Sequence, residues 1–277
     1  MKKAFRRAFI EITNSCNLAC GFCAASSRTK GYMPLEVFKN AAAQAGELAP
    51  LIFLHVLGEP FTHPQFPEIL SACSGLGLKV NLVTNGVLIE KFGAEIFKEK
   101  CLAQVSVSLH SLAGLAGAPC AAALKRLTDF ALRRQPGLTV SFRLRGNPAD
   151  PFITATKAAL LRVFTREAAY TQVRGGLKLR EGVYLNFGSI FEWPGGPGGK
   201  AKKGCLGLRH HFGILSDGRV VPCCADFDGA LALGNIKERP LAEILCSPEA
   251  LALRDSIAGR TPMPVYCASC GFTAPDS

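Results

Sequence analysis

No apolar run in this chain approaches the eighteen or so residues that a membrane-spanning helix requires. The longest candidate, residues 48–57, is broken by Pro50 and His55. The basic opening, residues 1–7, leads into an apolar segment too short for a secretory signal, so a soluble, cytoplasmic protein with no membrane partner is expected. Charge is sparse: 19% of residues are charged against 48% apolar, the reverse of the balance that keeps a chain disordered. The negative sign is the scarcer, with 21 Asp and Glu against 32 Lys and Arg and a formal net charge of +11. That excess fits a generally cationic surface or, more sharply, an anionic substrate such as a nucleotide, a phosphate or an acidic peptide. No long basic run marks a nucleic-acid groove, and there is no internal repeat. The length of 277 residues suits a barrel-sized unit with a small appendage.

Cysteine, by contrast, is abundant, at twelve residues. A secreted disulfide scaffold would be small and loop-rich, so thiols bound to metal are the better account. The first three form Cys16-x3-Cys20-x2-Cys23, directly after the short apolar run 9–13. Three thiolates in a loop that wraps back on itself can hold three corners of a cubane iron–sulfur cluster, leaving one iron open to a ligand. Zinc would want four ligands, and the nearest histidine in sequence is His55. A second set lies toward the carboxyl end: Cys205, then Cys223 preceded by Gly218, then Cys267-x2-Cys270. Taken alone, four thiolates there suit an iron–sulfur cluster or a structural zinc clamp. Cys224 competes with Cys223 for a place in the set. Cys73, Cys101, Cys120 and Cys246 lack partner spacing and read as buried free thiols.

Strand patterns fall at 9–13, 51–56, 80–84, 105–109, 138–144 and 183–187, several of them near-continuous apolar runs of the kind found where helices cover a parallel sheet. Helix patterns open at Pro34, run over 66–76 with Gly77 as a left-handed cap, and recur at 88–99, 121–134 and 153–170. Six strands, each but the last followed by a helix, predict an α/β fold: a partial parallel (β/α)6 barrel of TIM type over residues 1–190. Its chemistry would sit on loops at the carboxyl ends of the strands, where the first cysteine cluster lies. Residues 191–204 are rich enough in glycine and proline to read as a linker. Residues 205–277 then form a small domain, with a hairpin about Asp217-Gly218 and short helices at 241–245 and 249–257. Trp193 reads as packing rather than stacking. Lys200, Lys202, Lys203, Arg209, His210 and His211 read as solvated charge beside Cys205.

The cysteine spacing after a first strand, with Phe22 just before the last thiol, resembles the radical S-adenosylmethionine superfamily. Leu57-Gly58-Glu59-Pro60, after the second strand, is similar to that family's Gly-Gly-Glu-Pro-like segment, with leucine in place of the first glycine. Thr84-Asn85-Gly86 and Ser108-Leu109-His110 end the third and fourth strands in the family's manner. The resemblance implies that S-adenosylmethionine chelates the open iron of a 4Fe-4S cluster held by Cys16, Cys20 and Cys23. Its reductive cleavage yields a 5′-deoxyadenosyl radical, which abstracts hydrogen from a substrate. By the same token Glu59, between Gly58 and Pro60, accepts from the methionyl ammonium and Phe22 packs near the adenine. Asn85, Ser108 and Arg143 are candidates for the ribose and carboxylate, and His110 and Arg145 for catalysis. An arginine or histidine at a strand end serves equally well in a structural ion pair.

The pattern Cys-x12-Gly-x4-Cys followed by Cys-x2-Cys resembles the start of a SPASM domain, and the end at Ser277 resembles its smaller Twitch version. That implies one auxiliary 4Fe-4S cluster on Cys205, Cys223, Cys267 and Cys270, and an electron donor such as flavodoxin or ferredoxin. The substrate implied is a small molecule, anionic or nucleoside-like. Segments 54–60 and 213–224 also resemble small bacterial radical proteins that include queuine lyases, which release the base from queuosine or its phosphate. The alternatives are a peptide-modifying SPASM maturase and an aminocyclitol-type dehydrogenase. Outside enzymes, they are an iron–sulfur electron carrier and a zinc-bound nucleic-acid module, neither of which needs Gly58-Glu59-Pro60.

Overall fold

The computed structural model describes residues 3–115, 117–165, 169–195 and 205–272. The first half alternates strand and helix: β1 (Arg7–Ile10), α1 (Leu35–Leu48), β2 (Leu51–Phe53), α2 (Phe66–Gly75), β3 (Lys79–Thr84), β4 (Leu102–Ser108), α3 (Ala118–Arg133), β5 (Thr139–Arg145) and α4 (Pro151–Phe164). There follow β6 (Thr171–Val173), β7 (Gly176–Arg180), β8 (Val183–Gly188), β9 (His211–Ile214), β10 (Arg219–Val221), β11 (Gly234–Asn235), α5 (Leu241–Leu245), α6 (Pro248–Ile257) and α7 (Val265–Ala268). The eleven strands belong to one sheet in the order β11-β10-β9-β1-β2-β3-β4-β5-β8-β7-β6, an unclosed barrel. From β9 to β8 every neighbouring pair is parallel, while β10 and β11 at one end and β7 and β6 at the other run antiparallel.

Strand alternation sorts the side chains. Ala8, Ile10, Ile52, Val80, Leu82, Val105, Val107, Val140, Phe142 and Leu144 join the core shared with the helices. Phe9, Phe53 and Val83 point the other way, into the lumen, where Leu215, Val221 and Phe227 cover them. The same alternation turns Asn81, Ser106, Ser141, Arg143 and Arg145 toward the lumen. The lumen is therefore mainly apolar along β1, β2 and β10, mixed along β3 with Val83 and Asn81, and polar to cationic along β4 and β5. No helix of the described residues is long and apolar enough to cross a membrane.

His211, read as solvated charge, is instead buried edge-on against Phe9, and two helix expectations need correction. Residues 88–99 form no α-helix; they make turns and a 3-10 segment, Glu95–Lys98, because Gly93 takes a left-handed φ of 74° that interrupts any helix. The helix expected over 153–170 ends at Phe164, where the Thr165 hydroxyl bonds the Leu161 carbonyl at 2.7 Å, and the β6–β7 hairpin follows. Thr171, Gln172 and Val173 are all exposed, so β6 carries no apolar alternation to read. Most of the Gly/Pro-rich stretch, 196–204 with Lys200, Lys202 and Lys203, lies outside the described residues. Across it the sheet continues, since β9 pairs with β1 from Arg7↔His211 to Ile10↔Ile214.

Candidate active site and metal centres

After β1 the chain makes a loop closed at its base and open at its tip. Thr13 Oγ1 donates to the Gly31 carbonyl (2.8 Å), Asn14 Nδ2 to that of Thr29 (2.9 Å), and the Gly31 and Met33 amides to Asn14 Oδ1 and the Ile12 carbonyl (both 2.8 Å). The tip carries Cys16, Cys20 and Cys23, tightened by the Cys23 amide on the Cys20 carbonyl (3.0 Å). Burial pushes the Cys20 and Cys23 thiols up, and the charge of Cys16 on both, with Cys23 on Cys20, pushes further. These mutual charge effects place the three thiols near one another at the loop tip. Among the described residues no three ligating side chains are close enough to hold a single metal ion. Cysteine thiolates are the donors that hold iron–sulfur clusters, and this three-thiol set is of that type.

Glu59 lies beside that loop with 1% of its surface exposed. Its amide donates to the Ser15 carbonyl (2.8 Å), and Gly58 permits this approach: with φ at 75°, a Cβ there would collide with the Thr13 and Ser15 carbonyls. Glu59 Oε1 accepts from Thr84 Oγ1 (2.7 Å) and the Phe61 amide (3.2 Å), and Oε2 from the Asn85 amide (2.7 Å). Oε2 retains a lone pair that can take an ammonium. Burial raises this carboxyl to about 7 against those hydrogen bonds. Pro60 opens the 3-10 turn that Glu59 caps. The Asn85 side chain is turned to the cysteine loop, donating to Asn17 Oδ1 (2.8 Å) and Cys16 Sγ (3.7 Å), so it positions the loop as well as lining it.

The other predicted site residues cluster at the carboxyl ends of β4 and β5. Ser108 and Arg143 are register partners, and Asn186 pairs with Arg143 on the next strand. His110 Nδ1 lies 3.3 Å from the Arg143 carbonyl, and the Phe22 ring packs on the imidazole at 4.8 Å, so Phe22 tethers the cysteine loop to β4. Burial and the two arginines keep His110 below the usual histidine range. Burial, then repulsion from Arg145, lowers Arg143 to about 10. The sequence offered no signal for His55, which faces the lumen against Phe9 and Phe53, has an Nδ1 without a partner and is held at about 3 by burial and then Arg143.

At the second cysteine set, the Gly207 amide donates to Cys205 Sγ (3.4 Å), and Gly207 leaves room for the Cys223 Cβ beside it. Burial raises the Cys223 thiol well above its ordinary value, with charge from Cys224 and Cys205 adding to it. Cys224 instead packs with the lumen cluster and is raised to about 11 by burial, with Cys270 also pushing it upward. The segment before the undescribed stretch joins the two centres. Trp193 Nε1 donates to the Phe22 carbonyl (3.0 Å), its ring meets Phe227 edge-on, and the Gly271 amide donates to the Glu192 carbonyl (2.8 Å). Of the remaining thiols, Cys73 and Cys101 are buried and Cys120 is half-buried. Cys246 is exposed, against the expectation, because it follows the last turn of the short helix α5.

Sequence reasoning also missed a buried ion pair. Glu11, fully buried, takes Arg28 in a two-pronged contact (2.7 Å to each oxygen), and also accepts the Leu57 (3.1 Å) and Ser216 (3.0 Å) amides. Ser26 Oγ donates to Asp228 (2.5 Å) alongside. One carboxylate thus ties β1, the cysteine loop, the segment before Glu59 and the β9–β10 turn together.

A three-cysteine loop, a buried carboxylate beside it and a distal cysteine set on an unclosed parallel barrel define an enzyme class. Residues 10–123 match the family model of the radical SAM superfamily and residues 205–271 that of SPASM, an iron–sulfur cluster-binding domain. The chain belongs to the radical SAM superfamily and carries a SPASM domain; it is an enzyme that uses S-adenosylmethionine, a 4Fe-4S cluster and auxiliary iron–sulfur chemistry. A PqqA peptide cyclase of Gluconobacter oxydans is 27% identical, covering 94% of this chain and 81% of that protein. Among solved structures, Streptococcus suis SuiB bound to the precursor peptide SuiA (19% identical, TM-score 0.61) covers 97% of this chain and 70% of its own. BtrN in complex with AdoMet and 2-DOIA (14% identical, TM-score 0.59) covers 98% and 95%.

Proposed function

We propose that this protein modifies a peptide, with Cys16, Cys20 and Cys23 holding the cluster that binds S-adenosylmethionine. The observation that carries the reading is the near full-length similarity to a PqqA peptide cyclase. It favours the peptide-maturase alternative over a queuosine lyase or another small-molecule reaction. When bound, the cluster and cofactor supply a radical able to abstract hydrogen. The protein's own part is to bind, orient and exclude water. Glu59 Oε2 takes the methionyl ammonium, and Arg143 with Ser108 takes the carboxylate. Asn85 fixes the loop and the ribose edge, and Phe22 shields the adenine. Gly58 and Pro60 set the backbone on which Glu59 stands. Cys205, Cys223, Cys267 and Cys270 hold the auxiliary cluster, with Cys224 turned to the lumen. Residues 1–190 act as the barrel, with 205–277 as the auxiliary-cluster domain.

The test is anaerobic incubation of the reconstituted, reduced protein with fully deuterated peptide digests and, separately, with deuterated nucleosides. Deuterium in the 5′-deoxyadenosine from the peptide arm is expected. Label from the nucleoside arm alone overturns the reading.

A further inference from the structure

Arg143 and Arg145 stand on the same face of β5, and neither guanidinium has a carboxylate partner among the described residues. Both are pushed below the ordinary arginine range, Arg145 by burial alone. The carboxylates that the first two strands bring to this side are already engaged: Glu11 by Arg28, and Glu59 by Thr84 and Asn85. Arg143 and Arg145 are half-buried by surface area, and a partly desolvated cation without a counter-ion is favoured by a ligand that brings one. S-adenosylmethionine carries a single carboxylate, and Arg143, in register with Ser108, is placed to take it. Arg145 pairs with Gly188 one step nearer the mouth. It donates once, from Nη1 to the Asn186 carbonyl at 3.0 Å, and lies over Gly188, where a Cβ would press on its Cδ and Nε at 3.2 Å. Its other N–H groups have no partner among the described residues. Glycine gives this guanidinium its berth, and no carboxylate among the described residues neutralises it.

We propose that Arg145 binds a carboxylate of the substrate, the side chain of an aspartate or glutamate in the peptide, at the mouth of the lumen beside His110. This rests on the peptide reading above. His110 fits the arrangement. With a carbonyl as partner its Nδ1 is the donor, and burial with the two arginines disfavours a second proton on Nε2, so the ring does not compete for the anion. Phe22 packs on that ring, so the bound acid lies within two side chains of the cysteine loop. A single planar guanidinium with a free edge matches the two oxygens and one charge of a carboxylate. A phosphate would leave charge unmet.

The test pans a random heptapeptide display library, without oxygen, against the cluster-loaded, S-adenosylmethionine-bound protein. Enrichment of Asp and Glu at one fixed position is expected, about tenfold over the flanking positions. Arg145→Gln should flatten that position and Arg145→Glu should turn it to Lys and Arg, while Arg145→Lys keeps part of the acidic preference. Arg174→Glu, on the exposed β6–β7 turn, controls for general surface charge and should leave the position acidic. Iron content and far-UV spectra identify a misfolded variant, in which case Arg145→Lys against wild type decides. An acidic position that survives both Arg145→Gln and Arg145→Glu overturns the assignment, as do peptides enriched without any acidic position. No enrichment of any peptide by a protein that still binds S-adenosylmethionine overturns the peptide reading itself, and this inference with it.

Discussion

Glu59 sits where two effects on a carboxyl group compete. Three hydrogen bonds favour its ionised form, and near-complete burial favours the neutral one and prevails, leaving the group at about 7. On the role proposed for Glu59, the ammonium of S-adenosylmethionine would bind the ionised form, so binding would be coupled to release of a proton wherever Glu59 is still protonated. Affinity should accordingly be flat above about pH 7 and fall below it, by up to about tenfold for each pH unit. Equilibrium dialysis of labelled cofactor against the cluster-loaded protein measures this. Glu59→Gln should bind more weakly and lose the slope. A slope unchanged in Glu59→Gln would place the titrating group elsewhere. The departure of Leu57 from the family's first glycine is also explained at this scale. The Leu57 amide is bonded to Glu11, its side chain packs in the lumen cluster, and only Gly58 needs the left-handed backbone.

Among elements, the cysteine loop is held from both sides. Its base is clasped by its own backbone, and its far limb by Arg28 on Glu11, whose remaining capacity serves the β2 exit and the β9–β10 turn. Glu11→Gln leaves the Arg28 guanidinium, whose side chain is 7% exposed, with only the longer Asp228 contact at 3.9 Å, and should cost about 3 kcal/mol in urea unfolding. Replacing both partners by apolar residues removes the stranded charge but still orphans the Leu57 and Ser216 amides. Glu11→Leu with Arg28→Met should therefore recover only part of the loss. Full recovery would mean that the two amides find other acceptors and that the carboxylate is no junction.

For the whole molecule the decisive feature is the parallel pairing of β9 with β1. The carboxyl-terminal segment supplies the strand next to β1 and the side chains Leu215, Val221 and Phe227 that cover Phe9 and Phe53. A chain ended at residue 195 would expose the edge of β1 and the apolar half of the lumen, a combination prone to edge pairing. Such a truncation should sediment as aggregates under conditions in which the full chain is dispersed. A monomeric truncation that still takes up the first cluster would show that the barrel stands without β9. Trp193 adds a second tie between the two halves, from the Phe22 carbonyl to the Phe227 ring.

What the sequence determined by itself is what depends on neighbours along the chain. The cysteine spacings, the glycine at 58, the turn at Asp217-Gly218, the span of α5 and the helix-over-strand alternation were legible because ligand spacing, backbone handedness and apolar period are local properties. Even there, exposed β6 left no period to read, and Gly93 broke a helix that composition favoured. Tertiary structure alone decided which distant residues meet: Glu11 with Ser216, Phe22 with Trp193, β1 with β9. It also decided which charges go unmatched: Arg28, unmarked by any signal in the sequence, is held on a carboxylate, and Arg145, a candidate at a strand end, is not. A charge's partner is set by the path of the whole chain, and no periodicity records it.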